Sequence, residues 1–499
     1  MGSIAKQATI NTMLAYLGIG LGFLNVVLLY PQVLRSDEFG LTRLLLSVAT
    51  VASQVAQLGM ENTVIRYFPY FKDTERDHRG LLSWVLLFGT VVGLLAMLVI
   101  GAGHGVLSGI FSDENALYAR YGLFLLPLIL SEVYFILLRS YSRSLRRSVQ
   151  PTFLREFILR SLQTLLIGYQ AWRPMPFAMF LACYVSVFLL VTLLLVADLY
   201  RSGHFRLGWQ QRWLPRRLRR SMVRYSGFTF SASLAGLVLG NMDQLMIGAL
   251  LGKEALSSVA HYAVAFYFGS VIAVPARALM QAAVPHLAEA WKRRDNPAIA
   301  EMYRRSADAQ LVASGLLFVL LVVASDTLFT FLPAEYADAS SVPIIIAAAY
   351  MLYSATGLGV GIINMSRSYR LDAWSSYGML VLNAVANFFL IRELGIVGAA
   401  WATLISLVTV GAWRTWFLER RYGLWPFTHR TMMLLLAMAL MTALNEWLLP
   451  RCANHWELVL RVVVAVACYG GVVHVLGMGQ DIKRTVLQAI SSSAPGIRS

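Results

Sequence analysis

Runs of about twenty apolar residues alternate with short polar stretches along the chain, a spacing that matches the hydrocarbon thickness of a bilayer. The windows fall near 10–30, 41–60, 81–101, 121–138, 156–172, 177–199 and 226–250. They continue at 259–279, 307–331, 342–363, 374–391, 396–417, 431–449 and 458–476. This pattern predicts an all-α, polytopic membrane protein of about fourteen transmembrane helices. The fifth and tenth windows are the weakest, because Arg160 interrupts one and Gly357, Gly359 and Gly361 loosen the other.

Lys and Arg resist translocation and collect in cytoplasmic loops. With the amino terminus inside, the cytoplasmic segments hold Lys6, the Arg66 to Arg79 and Arg139 to Arg155 groups, and the run Arg201, Arg206, Arg212, Arg216, Arg217, Arg219, Arg220 and Arg224. Lys292 to Arg305, Arg367, Arg370, Arg414, Arg420, Arg421, Arg430, Lys483, Arg484 and Arg498 follow. The outer loops keep only Arg35, Arg43, Arg120, Arg173, Lys253, Arg392 and Arg451. Both termini are therefore expected in the cytoplasm.

A weak internal repeat divides the spans. The first span, the acidic turn Leu34 to Gly40, the second span and the Pro69 to Asp77 stretch parallel the seventh span, Leu251 to Ala255, the eighth span and Pro285 to Asp295. Such repeats in transporters mark two related bundles beside a central path. The expected organisation is a six-helix bundle over 1–200, a basic cytoplasmic linker over 201–224, a second six-helix bundle over 225–425, and an extra helix pair with a cytoplasmic tail over 426–499. The plain reading of the linker arginines is positive-inside anchoring. The last pair is expected to pack peripherally.

Of the 499 residues, 58% are hydrophobic and 14% charged, which a soluble core cannot absorb. The net charge of +16 does not point to nucleic acid, because the basic residues form short connectors between spans. Cys183, Cys452 and Cys468 make neither a disulfide framework nor a metal cage. The first apolar run, Thr9 to Tyr30, exceeds a signal-peptide core and reads as an uncleaved span.

The stretch Leu382-Asn383-Ala384-Val385-Ala386-Asn387-Phe388-Phe389-Leu390-Ile391, followed by Gly395-Ile396-Val397-Gly398-Ala399-Ala400-Trp401-Ala402-Thr403, resembles a late signature of polysaccharide-export flippases. These belong to the multidrug/oligosaccharidyl-lipid/polysaccharide exporter superfamily. Asp37-Glu38-Phe39-Gly40 to Gly59-Met60-Glu61-Asn62 is similar to that family's first hairpin, and Asp243-Gln244-Leu245-Met246-Ile247-Gly248 to its seventh span. The resemblance runs in order along nearly the whole chain.

It implies two pseudo-symmetric bundles and a rocking transporter in the bacterial inner membrane, moving a polyprenyl-pyrophosphate-linked oligosaccharide to the outer leaflet. A coupling cation, sodium or proton, and a polysaccharide polymerase are the implied partners. No cofactor or metal is implied. The sugar and pyrophosphate cannot cross hydrocarbon, whereas the tail never leaves it. The protein must supply a polar path with cationic groups for the pyrophosphate.

Charge inside a span is costly, so each case is a functional candidate. The candidates are Asn25, Arg66, Glu132, Arg160, Asn241, Asp243 and Arg277. Arg277 either snorkels or binds phosphate. Asp243 accepts from an arginine, binds the coupling cation, or ties helices together. Glu132 and Arg160 are expected to pair if their helices adjoin. Arg43 reads as an interfacial anchor, and His261, Asp326, Glu446, Arg461 and His474 as packing or interface residues.

No Walker loop, HExxH, CxxC or Ser/His/Asp set occurs in a suitable context, so covalent catalysis is not expected. Two other readings stay open: a multidrug/cation antiporter of the same superfamily, whose cavity would be acidic, and a cell-wall precursor lipid flippase. A membrane-embedded glycosyltransferase would need a large outer loop or an acidic metal motif, and the outer loops are short.

Overall fold

The computed structural model describes residues 2–73, 77–111, 116–205, 207–208, 215–368, 370–448 and 455–478. These residues are mostly helical with no strand among them. Ten helices among them are long and apolar enough to cross a membrane, and one of these, Arg370–Tyr422, has 53 residues. It is two helices joined across a kink at Gly395 (φ 59°, ψ −137°), and these serve two of the expected windows. The other windows fall on helices that are shorter or more polar. The protein is a multi-pass membrane protein.

Contacts divide the chain into two compact units, Met1–Ala260 and His261–Ser499. In the first, α1 (Gly2–Phe23) widens into a π-helical turn at Leu24–Leu29. Pro31 follows and has no N–H to return to the preceding turn, a common cause of such widening. Then come α2 (Ser36–Ala56), α3 (Met60–Phe71), α4 (Leu81–Ala102), α5 (Leu125–Ser144), α6 (Leu159–Trp172), α7 (Phe177–Arg201) and α8 (Arg216–Leu250). The segment before α6 contains a second π turn, Leu154–Ile158. The buried helix α5 forms the centre, packed by α2, α3, α4 and α7, while α8 lies along α2 and α3. The basic stretch expected as a linker thus runs directly into α8, which begins at Arg216.

Glycines set the closest approaches. Gly59 has φ +75°, and a Cβ there would meet the Ser226 carbonyl and lie 2.7 Å from the Phe230 nitrogen, so α2 can turn into α3 against the α8 backbone only without a side chain. Ser226 and Thr229 hydroxyls donate to the Leu58 and Gly59 carbonyls at that turn.

The second unit contains the remainder of the α9 helix (Ala255–Ser270), then α10 (Val274–Arg293), α11 (Asn296–Thr330), α12 (Val342–Ser354), α13 (Gly359–Met365), α14 (Arg370–Tyr422), α15 (His429–Leu448) and α16 (His455–Val475). The glycines in the expected tenth window break the helix, with Gly357 at φ +58° between α12 and α13. The last pair, α15 and α16, packs on α11, where Tyr469 donates to the Val312 carbonyl at 2.8 Å. Its far side exposes Leu436, Leu440, Leu460 and Val463.

Candidate functional site

The first unit carries a line of polar groups through its interior. Asn25, 2% exposed, sits in the π turn that ends α1. Its amide donates to the Arg160 carbonyl at 3.0 Å, and its oxygen accepts from the Thr164 hydroxyl at 2.7 Å. Arg160 in turn donates to the Gly18 carbonyl on α1 and, at 2.9 Å, to Glu156. Both side chains of this pair are a little over a quarter exposed, at 27% and 28%.

One π turn earlier, Arg155 donates to Glu132 on α5 at 2.7 Å. Glu132 is 4% exposed and Arg155 27%. The guanidinium carbon lies 5.3 Å from the Phe135 ring and 5.5 Å from that of Phe188, so two aromatic rings hold the cation beside its carboxylate. Ser131 and Thr192 hydroxyls, 3.1 Å apart, continue the polar line between α5 and α7.

The expected Glu132 to Arg160 pair does not form. Arg155, assigned to a cytoplasmic loop, takes Glu132, and Arg160 takes its helical neighbour Glu156. Residues five apart in a regular helix diverge by about 140°. The wide turn at Leu154–Ile158 lessens that divergence and brings two cations into one interior. The signal that would have found Arg155 is the run Arg155-Glu156 followed by Arg160, which places three charges at the start of one apolar window.

The other candidates lie apart from this line. Arg66 is exposed midway along α3 and stacks over the Tyr225 ring at 4.3 Å, while the neighbouring Tyr67 hydroxyl lies 2.7 Å from that of Ser221. Asp243 is buried on α8, Asn241 is half-buried two residues before it, and adjacent Gln244 accepts from Ser47 at 2.7 Å. Arg277, in the second unit, is exposed on α10 and joins no ion pair among the described residues.

A second cluster belongs to the second unit. Arg414 was placed in a cytoplasmic loop, yet it is only 6% exposed on α14. It forms an ion pair with Asp372 at 2.7 Å and donates to Ser375 at 2.9 Å, Ser376 at 3.1 Å and Tyr353 at 2.9 Å. Before the Gly395 kink in α14, Asn387 donates to Asn383 at 3.0 Å, and both are buried. The arginine was missed because it follows an apolar window and precedes Arg420 and Arg421, which resembles a loop boundary.

The first unit is thus a bundle of apolar helices that encloses arginine–carboxylate pairs. In fold the chain matches the lipid II flippase MurJ in its inward closed conformation, at a TM-score of 0.73 and 12% identity, over 94% of this chain and 98% of that one. It also matches an inward-facing multidrug resistance transporter of the MATE family and MOP superfamily, at a TM-score of 0.60 and 13% identity, over 85% and 98%. The polysaccharide biosynthesis protein family matches residues 4–291, and the chain belongs to that family. A probable low-salt glycan biosynthesis flippase, Agl15 of Haloferax volcanii, is 26% identical over 188 residues, 38% of this chain. That alignment spans 39% of the relative's length.

Proposed function

We propose that the protein is a flippase that moves a polyprenyl-pyrophosphate-linked oligosaccharide, the repeat unit of a surface polysaccharide, across the inner membrane by alternating access. The observation that carries this reading is the pair of arginines inside the first unit. Arg155 and Arg160 each hold one carboxylate and each keep about a quarter of their surface open. A guanidinium has five N–H donors in a planar fork, so donors remain for an anionic head group. A diphosphate offers charge-assisted hydrogen bonds that compete with Glu132 and Glu156.

Family membership and the glycan flippase relative support the cargo class. A cationic drug would find both carboxylates, Glu132 and Glu156, already paired with arginine, which argues against the multidrug antiporter reading. Transport needs no covalent step; its driving force is a coupling cation, sodium or proton, and both termini lie in the cytoplasm. The polymerase that consumes the exported unit is the expected partner.

The test uses purified protein in liposomes. Lipid-linked oligosaccharide is expected to reach the opposite leaflet, and Arg155→Gln and Arg160→Gln to slow it at least about tenfold, a barrier change of about 1.4 kcal/mol. Side-by-side assays with a cell-wall precursor lipid separate the two flippase readings. Wild-type protein that moves neither lipid would overturn the proposal.

A further inference from the structure

Helix α8 is longer than a bilayer crossing requires. Its 35 residues extend about 52 Å at 1.5 Å per residue, while a hydrocarbon core of about 30 Å takes roughly 20 residues. Counted back from Leu250, the excess of about fifteen residues lies at the start of the helix, at and beyond the head groups. That excess holds Arg216, Arg217, Arg219, Arg220 and Arg224, all exposed.

These side chains share one face. At about 100° per residue they span an arc of about 160°, from Arg219 through Arg216, Arg220 and Arg224 to Arg217. Leu218, Ser221 and Tyr225 fall outside that arc, on the side that meets α3. There the Tyr67 hydroxyl reaches Ser221, and Arg66 stacks over Tyr225. The basic face therefore turns away from the protein. No Asp or Glu occurs between Asp198 and Asp243, and among the described residues none of the five arginines joins an ion pair. Val223, 68% exposed, sits between the arginines on the same arc.

We propose that this face of α8 docks on an anionic phospholipid leaflet, the helix leaning so that its overhanging arginines come level with the lipid phosphates. The charge complementarity selects this occupant. Five guanidinium groups spread over about 12 Å of helix axis and about 160° of arc cannot converge on one diphosphate, whereas a sheet of phosphates meets all of them. Docking fixes the depth of α8, and through the Tyr67 and Gly59 contacts it holds the α2–α3 turn at the membrane surface.

The experiment uses full-length protein in detergent, titrated with phosphatidylglycerol or phosphatidylcholine and read by native mass spectrometry. Wild type is expected to retain phosphatidylglycerol at least about tenfold better, with the preference collapsing as salt screens the charges. Replacing all five arginines by Gln should abolish the preference, and replacing them by Lys should keep it. A photo-crosslinking residue at position 223 of the otherwise native chain should capture phosphatidylglycerol, which tests the surface even if the Gln variant fails to fold. Equal retention of the two lipids by wild type, or a Gln variant with unchanged preference, would sink the proposal. So would a Gln variant that loses only added farnesyl diphosphate, because the face would then serve a diphosphate cargo.

Discussion

Arg155 Nη1 lies 2.7 Å from Glu132 Oε1 between the rings of Phe135 and Phe188, and this contact joins the segment before α6 to the centre of the first bundle. The carboxylate is almost fully enclosed and the cation is not, so the pair is asymmetric. Removing the arginine strands a buried charge, whereas a competing anion could draw the arginine out while Glu132 stays behind.

A double-mutant cycle tests which arginine Glu132 serves. Glu132→Gln and Arg155→Gln should each lower apparent stability by about 3 kcal/mol, as loss of one partner of a buried pair does. Their effects should be strongly non-additive, while those of Glu132→Gln and Arg160→Gln should add within about 0.5 kcal/mol. Thermal melting of the detergent-solubilised protein gives the comparison. Additivity in the first pair would mean that the contact is not formed.

Gly59→Ala should lower stability by about 2 kcal/mol or more, since the residue has φ +75° and its new methyl would meet the Ser226 carbonyl. Gly203 is a matched control, with φ +71° and nothing within 4 Å of an added Cβ. Gly203→Ala should cost only the backbone strain, about 1 kcal/mol. Equal losses at the two sites, read by melting temperature, would show that the close approach of α3 to α8 carries no energy.

Arg414→Met should destabilise the second unit by about 3 kcal/mol, because Asp372 loses its counter-charge and three hydroxyl groups lose a donor. Adding Asp372→Leu should restore part of the loss, since an apolar pair can replace a buried ion pair. Arg414→Lys should fall between, having a single charge centre in place of a planar fork. Limited proteolysis reports each outcome.

Gly315→Leu should displace the α15–α16 pair from α11, because even a Cβ there meets the Met438 sulfur and lies 2.7 Å from the Tyr469 hydroxyl. Cysteine cross-linking between positions 312 and 469 should fall sharply in that variant, while the first unit's melting stays unchanged. Undiminished cross-linking would show that the pair yields without leaving.

The membrane character and helix windows were legible in the sequence because they depend on additive quantities, the summed transfer energy of about twenty residues and the spacing of charged loops. The break at Gly357 was equally local, since glycine accepts φ near +60° at low cost. Buried Asn25 and Glu132 stood out because polar groups in apolar windows are expensive.

Only the tertiary structure decided partnership. Whether Arg155 or Arg160 reaches Glu132 depends on a one-residue widening of a helix, which rotates side chains without altering the hydrophobic pattern. Arg414 looked like a loop cation because distance along the chain does not reveal that Asp372 and Tyr353 fold beside it. The arginine run that opens α8 read as a linker, since sequence gives the charge but not the helix that arranges it into a face. Composition sets where a segment must lie relative to water and lipid, and pairing requires coordinates because directional contacts change with a fraction of a helical turn.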